Sequence, residues 1–196
     1  MRLNKNIRQT LRIAKIELSS MFYSPVAWLI LVIFALLIGY DYANIFDSQL
    51  HSQSLGNNLW SVSSAIYNSW MTGILKPILR NLYLYIPLIT MGLMSREYQS
   101  GSVKLLYSSP IKNSSIILGK YLAMMCYGAA LMSIIGLNVL FSWLTVENFQ
   151  ISMLLVGMLG IYLLILAYSA IGLFMSTLTA YQVVAAIGTL AVLAVL

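Results

Sequence analysis

Few residues in this 196-residue chain are of types that do chemistry. Its single cysteine, Cys126, excludes an intrachain disulfide. With one histidine, His51, there is also no Cys/His cluster for zinc, haem or an iron–sulfur centre. Cys126 lies deep in an apolar run and reads as a small core hydrophobe, while His51 reads as a polar loop residue. No nucleophile–base pair and no paired-carboxylate site can be read from the spacing. Gly119-Lys120 lacks the upstream glycine of a phosphate loop and is followed by Tyr121 rather than Ser or Thr. The expectation is a chain that is not an enzyme, with no catalytic residues, no metal and no cofactor of its own.

The elements that hold these residues are set by composition. Hydrophobic residues make up 60% of the chain and charged ones 8%, where a soluble domain is about a quarter charged; mean hydropathy is +0.86. Such a chain belongs in a bilayer, and a crossing helix needs about 20 mostly apolar residues. Uncharged or nearly uncharged runs predict spans at about 25–42, 77–95, 116–142, 151–175 and 180–196. The last two divide a charge-free run at Ser176-Thr-Leu-Thr-Ala-Tyr-Gln182. Span two is the weakest, with Lys76 and Arg80 at its start and Pro87 predicting a kink that neighbours must satisfy. The deeper parts of the spans hold no Asp, Glu, Lys or His, so no intramembrane proton or sodium coupling is visible. Any uphill transport must draw its energy from a partner. Small residues such as Gly157/Gly160 and Ser169/Gly172 read as helix-packing positions.

Charge sets the expected orientation. Arg2, Lys5, Arg8, Arg12 and Lys15 precede span one, and Arg96, Lys104, Lys112 and Lys120 flank the loop after span two. The 41–75 and 146–150 segments contain Asp41, Asp47 and Glu147 but no Lys or Arg. The positive-inside rule therefore predicts a cytoplasmic N-terminus. Residues 1–24 read as a separate N-terminal amphipathic helix lying on the lipid bilayer, with Leu3, Ile7, Leu11, Ala14, Leu18, Met21 and Phe22 on one face and the five bases on another. Tyr23-Ser24-Pro25 supplies a bend before span one. The run is too long for the basic region of a signal peptide and lacks a clean Ala-x-Ala. The net charge of +6 thus marks a membrane face and argues against nucleic-acid binding.

The 96–115 loop carries the most specific pattern. Gly101 permits a sharp turn, Ser102 can cap a short helix through Val103, Lys104, Leu105 and Leu106, and Pro110 stops it. Ser114 or Ser115 can cap the next helix. A short amphipathic helix there suits either a groove on a soluble partner or the membrane surface.

The order Glu97, Gly101-Ser102, Leu105-Leu106, Ser109-Pro110 and Gly119-Lys120 resembles the ABC-2 type permeases of ATP-binding-cassette transporters, most of all the gliding-motility and nitrous-oxide-reductase maturation subgroup. Ile16-Glu17-Leu18 and Phe22-Tyr23-Ser24-Pro25 also resemble that family's opening. The resemblance implies an all-α polytopic permease of the bacterial cytoplasmic (inner) membrane, an exporter that pairs with a second permease copy and two ATPase subunits. ATP would be bound by those subunits. The N-terminal helix would be an elbow helix, and 97–110 a coupling helix seated on the ATPase, with Glu97 at its membrane junction and Leu105 and Leu106 facing the contact. The alternative is a membrane anchor or assembly subunit that docks a soluble protein through the same loop. Permeases of this type carry six spans, so five visible spans, the last near the minimum length, lead to the expectation of a truncated chain lacking a sixth.

Overall fold

The computed structural model describes residues 2–54, 75–108, 111–145 and 151–195. Among them the elements are helices: α1 (Arg2–Tyr23), α2 (Pro25–Ser54), α3 (Leu75–Thr90), α4 (Gly92–Ser100), α5 (Val103–Ser108), α6 (Asn113–Thr145), α7 (Ile151–Leu178) and α8 (Gln182–Val195). Among the described residues four stretches are long and apolar enough to cross a membrane: Pro25–Ser48, Pro77–Ser100, Asn113–Phe141 and Leu155–Leu178. The fifth expected span corresponds to α8, apolar but only 14 residues long.

The boundaries differ from expectation in several places. Helix α2, the expected first span, does not end near residue 42 but continues to Ser54, so His51 is helical rather than in a loop. The helical period survives the polar residues there: Ile38 and Tyr42 are buried four residues apart, and Tyr42 stacks on Phe46 a turn later at 5.9 Å. Helix α6 starts at Asn113, so Ser114 and Ser115 lie inside its first turn rather than capping it. Pro87 sits within α3, and the interruption falls four residues later, at Met91. The proline ring removes only its own N–H from the ladder; its carbonyl still accepts from Met91 N at 2.9 Å. The bend expected at Ser24 separates α1 from α2, closed by Ser24 N–H on the Met21 carbonyl at 3.0 Å.

The chain divides into two compact units. The first comprises residues 1–28, 83–128 and 164–196. Leu93, Met94, Met124 and Leu173 form its core, with Met21, Ile89, Tyr98 and Tyr121 packed around them. Buried polar groups are tied off inside it: the Tyr127 hydroxyl donates to the Ala27 carbonyl at 2.8 Å, and the Tyr121 hydroxyl to the Leu166 carbonyl at 3.1 Å. Phe22 lies at 5.8 Å from Trp28 and 5.9 Å from Tyr127, closing the corner where α1 turns into α2.

The second unit comprises residues 29–82 and 129–163. Phe34, Ile38, Ile78, Leu82, Leu131, Ile135 and Ile161 are buried in it, and Phe141 meets Tyr42 edge-on at 6.2 Å. Large apolar side chains such as Leu36, Leu137, Val156 and Leu159 are exposed. Exposed apolar surface on helices of this length is what a lipid environment calls for.

Candidate functional site

The first unit brings three of the chain's few charged side chains together. Lys120, only 2% exposed, lies in the second turn of α6. Its Nζ is 3.1 Å from Glu17 Oε2 on α1 and 2.8 Å from Glu97 Oε1 on α4. A buried ammonium is tolerated only when paired, and here it is paired twice. The second carboxylate oxygen of Glu97 is also buried and has no hydrogen-bond partner among the described residues. Two carboxylates against one ammonium leave a formal charge of −1, and the cation holds two like charges together.

The Gly119-Lys120 pair explains how this is built. A Cβ at Gly119 would lie 2.7 Å from Ile13 Cγ2 and 3.0 Å from the Thr10 carbonyl, so only glycine lets α6 approach α1 this closely. Ile13 and Glu17 are one turn apart on α1, and Gly119 and Lys120 are adjacent on α6. The contact that seats Ile13 on Gly119 therefore brings Glu17 within reach of Lys120. Helix α1 is turned accordingly. Asn6, Thr10, Ile13, Glu17 and Met21 are half-buried, whereas Ile7 and Leu11 are exposed together with Arg8, Arg12 and Lys15. An α1 with bare apolar side chains beside its bases is suited to a headgroup boundary. Arg2 and Lys5 lie in α1, but their side chains fall outside the described residues.

Helix α4 leads from Glu97 straight into the predicted turn. Gly101 adopts φ 71° and ends the helix, with its N–H on the Tyr98 carbonyl at 3.2 Å. This left-handed cap is where glycine is favoured. The expected helix follows as α5. The Ser102 hydroxyl meets that of Ser100 at 2.8 Å, and Lys104 N–H closes the turn on the Gly101 carbonyl at 3.2 Å. Val103 is buried and Lys104 exposed. Leu105 and Leu106 lie within α5, though their side chains, like all of Ser109 and Pro110, are outside the described residues.

Of the residues singled out in the sequence, the structure thus joins Glu97 and Gly101 to one helix end. It adds two that were not singled out as partners, Glu17 and Lys120. Lys120, one of the bases that flank the loop after span two, also ties three helices together internally.

A family model described as ABC-2 family transporter protein matches residues 11–196. The chain belongs to the ABC-2 family. It is an integral membrane protein and a membrane subunit of an ABC transporter, the transport component rather than the ATPase. The match covers all three members of the ionic junction of this ABC-2 permease, from Glu17 to Lys120. No match was found among curated proteins or among solved structures.

Proposed function

We propose that this permease is an exporter subunit of the bacterial cytoplasmic membrane. In this reading ATP hydrolysis in a separate subunit, docked on the cytoplasmic 97–110 segment, is transmitted through the Lys120 junction. The observation that carries the reading is the double pairing of Lys120. A force applied to α5 passes through the Gly101 turn to α4, and Glu97 ties α4 through Lys120 to α6 and, through Glu17, to α1. Spans whose deeper parts hold no Asp, Glu, Lys or His suit this mechanism, because rigid-body movement of tied helices needs no titrating group there. Uncharged spans fit a cargo with apolar character. A second permease copy would complete the path.

The test is co-expression with an ATP-binding-cassette ATPase encoded beside this chain. The pair should co-purify, and Leu105→Asp with Leu106→Asp should abolish co-purification while membrane insertion is retained. An ATPase that stays bound to this double variant refutes docking on α5. An ATPase that binds, but whose hydrolysis is unaffected by the permease, would favour an anchoring role for the chain instead.

A further inference from the structure

The interruption of the second crossing helix at Met91 has an unusual closure. The first four N–H groups of any helix lack partners within it, and a side chain at the N-cap position ordinarily takes one of them. At α4 the N-cap residue is Met91, which makes no side-chain cap. The hydroxyl of Ser176, on α7, does this work from outside. It accepts from Met94 N–H at 3.0 Å and from Ser95 N–H at 3.1 Å, and donates to the Met91 carbonyl at 3.0 Å. Ser176 is fully buried. The Ser95 hydroxyl also donates to the Met91 carbonyl.

The two sides of the break are held differently. On the α3 side, Thr90 is fully buried and its hydroxyl donates to the Ile86 carbonyl at 2.9 Å. It is also packed so tightly on α7 that a Cβ at Gly172 would lie 2.7 Å from Thr90 Cβ. On the α4 side, the first turn packs Leu93 and Met94 with Leu173 of α7, and its backbone is tied to α7 by one hydroxyl whose three bonds are all to backbone groups. A side chain set into the helical ladder is a recognised cause of a break, and a junction whose backbone is joined through one hydroxyl is suited to bending.

We propose that Ser176 is a positioning residue for transport. It caps and aims α4, and the break at Met91 is the hinge on which α4, with Glu97 and the Gly101 turn, moves relative to α3. This rests on the coupling role proposed above for α5, and two experiments separate the ideas. In the first, the full chain is purified alone and amide hydrogen exchange is followed. Ser176→Ala should speed exchange at Met94 and Ser95 at least about fivefold, the factor that loss of one helix cap carries. Ser176→Thr, which keeps the hydroxyl, should remain close to the parent rate. Unchanged exchange in the alanine variant overturns the cap.

In the second, spin labels are placed at Leu84 on α3 and Ser100 on α4 in a Cys126→Ser background, in the chain assembled with its ATPase. The Leu84–Ser100 distance should differ between the nucleotide-free and ATP-trapped states, and the difference should be lost in Ser176→Ala and kept in Ser176→Thr. A distance that is the same in both states for the parent overturns the hinge. A change that survives in Ser176→Ala overturns the role of Ser176. Failure of any ATPase to assemble overturns the coupling reading and the transport role with it, while the exchange result still decides the cap.

Discussion

Replacing Lys120 by methionine should expose the energetics of the junction most directly. The side chain is 2% exposed and holds Glu17 and Glu97 at 3.1 and 2.8 Å, so the change removes two charge-assisted bonds and leaves two carboxylates confronting each other. Breaking a buried ion pair by removing one partner costs about 3–5 kcal/mol. Glu17 and Glu97 keep 21% and 24% of their side-chain surface exposed, so solvent recovers part of this. A loss of about 2–3 kcal/mol is expected after that discount. For a chain of this size, about 2–4 °C per kcal/mol converts this into a fall in melting temperature of about 4–12 °C. The four tryptophans provide an intrinsic fluorescence signal for the melt in detergent.

The stoichiometry makes the prediction sharper. With two acids on one base, Glu17→Gln or Glu97→Gln alone leaves a one-to-one pair and should cost no more than about 1 kcal/mol. The double glutamine variant strands a buried ammonium without a counter-charge. It should therefore lose more than the sum of the single losses, by about 1 kcal/mol or more. Adding Lys120→Met to that double variant removes the last charge and should restore most of the stability. Strictly additive single and double losses, or no recovery in the triple variant, would refute the claim that Lys120 is held by both carboxylates.

Close helix contacts allow a matched pair of tests. Gly172→Ala must displace Thr90 and should destabilise by about 1–3 kcal/mol, whereas Gly160→Ala, with nothing within 4 Å, should be neutral or gain about 0.5–1 kcal/mol; thermal melts compare the two directly. Gly101→Ala forces a side chain into φ 71° and should cost about 1 kcal/mol or more, with Gly101→Asn milder, read by the same melt. Tyr127→Phe removes the buried hydrogen bond to the Ala27 carbonyl and should cost about 1 kcal/mol. In a Cys126→Ser background, cysteine at Lys104 should be protected from an impermeant thiol reagent in intact cells and cysteine at His51 labelled. The reverse pattern would invert the proposed orientation.

The helices were legible because their signals are local. Apolar runs define α2, α6 and α7, and Gly101 followed by Val103-Lys-Leu-Leu106 defines a turn and a short helix without reference to any other part of the chain. Local signals misled where a polar residue had two possible roles. Asp41, Asn44 and Asp47 suggest a loop, yet Tyr42 and Phe46 keep the helical period and the helix continues past them. The break between the last two helices does fall inside the predicted Ser176–Gln182 segment, but Ser176 itself lies in α7 and its hydroxyl serves a break in another helix.

The ionic junction lay beyond local reading for a different reason. Glu17 and Glu97 are 80 residues apart, and no spacing links them to Lys120. A usable signal was nevertheless present in the cost of desolvation. Lys120 stands within Ile116-Ile-Leu-Gly-Lys-Tyr-Leu-Ala123, an apolar helical setting in which an unpaired ammonium would be untenable. In a chain with only five carboxylates, the partner has to be one of very few residues. Asp41, Asp47 and Glu147 fall at the opposite ends of the predicted spans, which leaves Glu17 and Glu97. The scarcity of charge that marks a membrane protein thus also makes its buried ion pairs deducible. Each ionisable residue inside an apolar run must be matched, and the pool of candidates on its side of the bilayer is small.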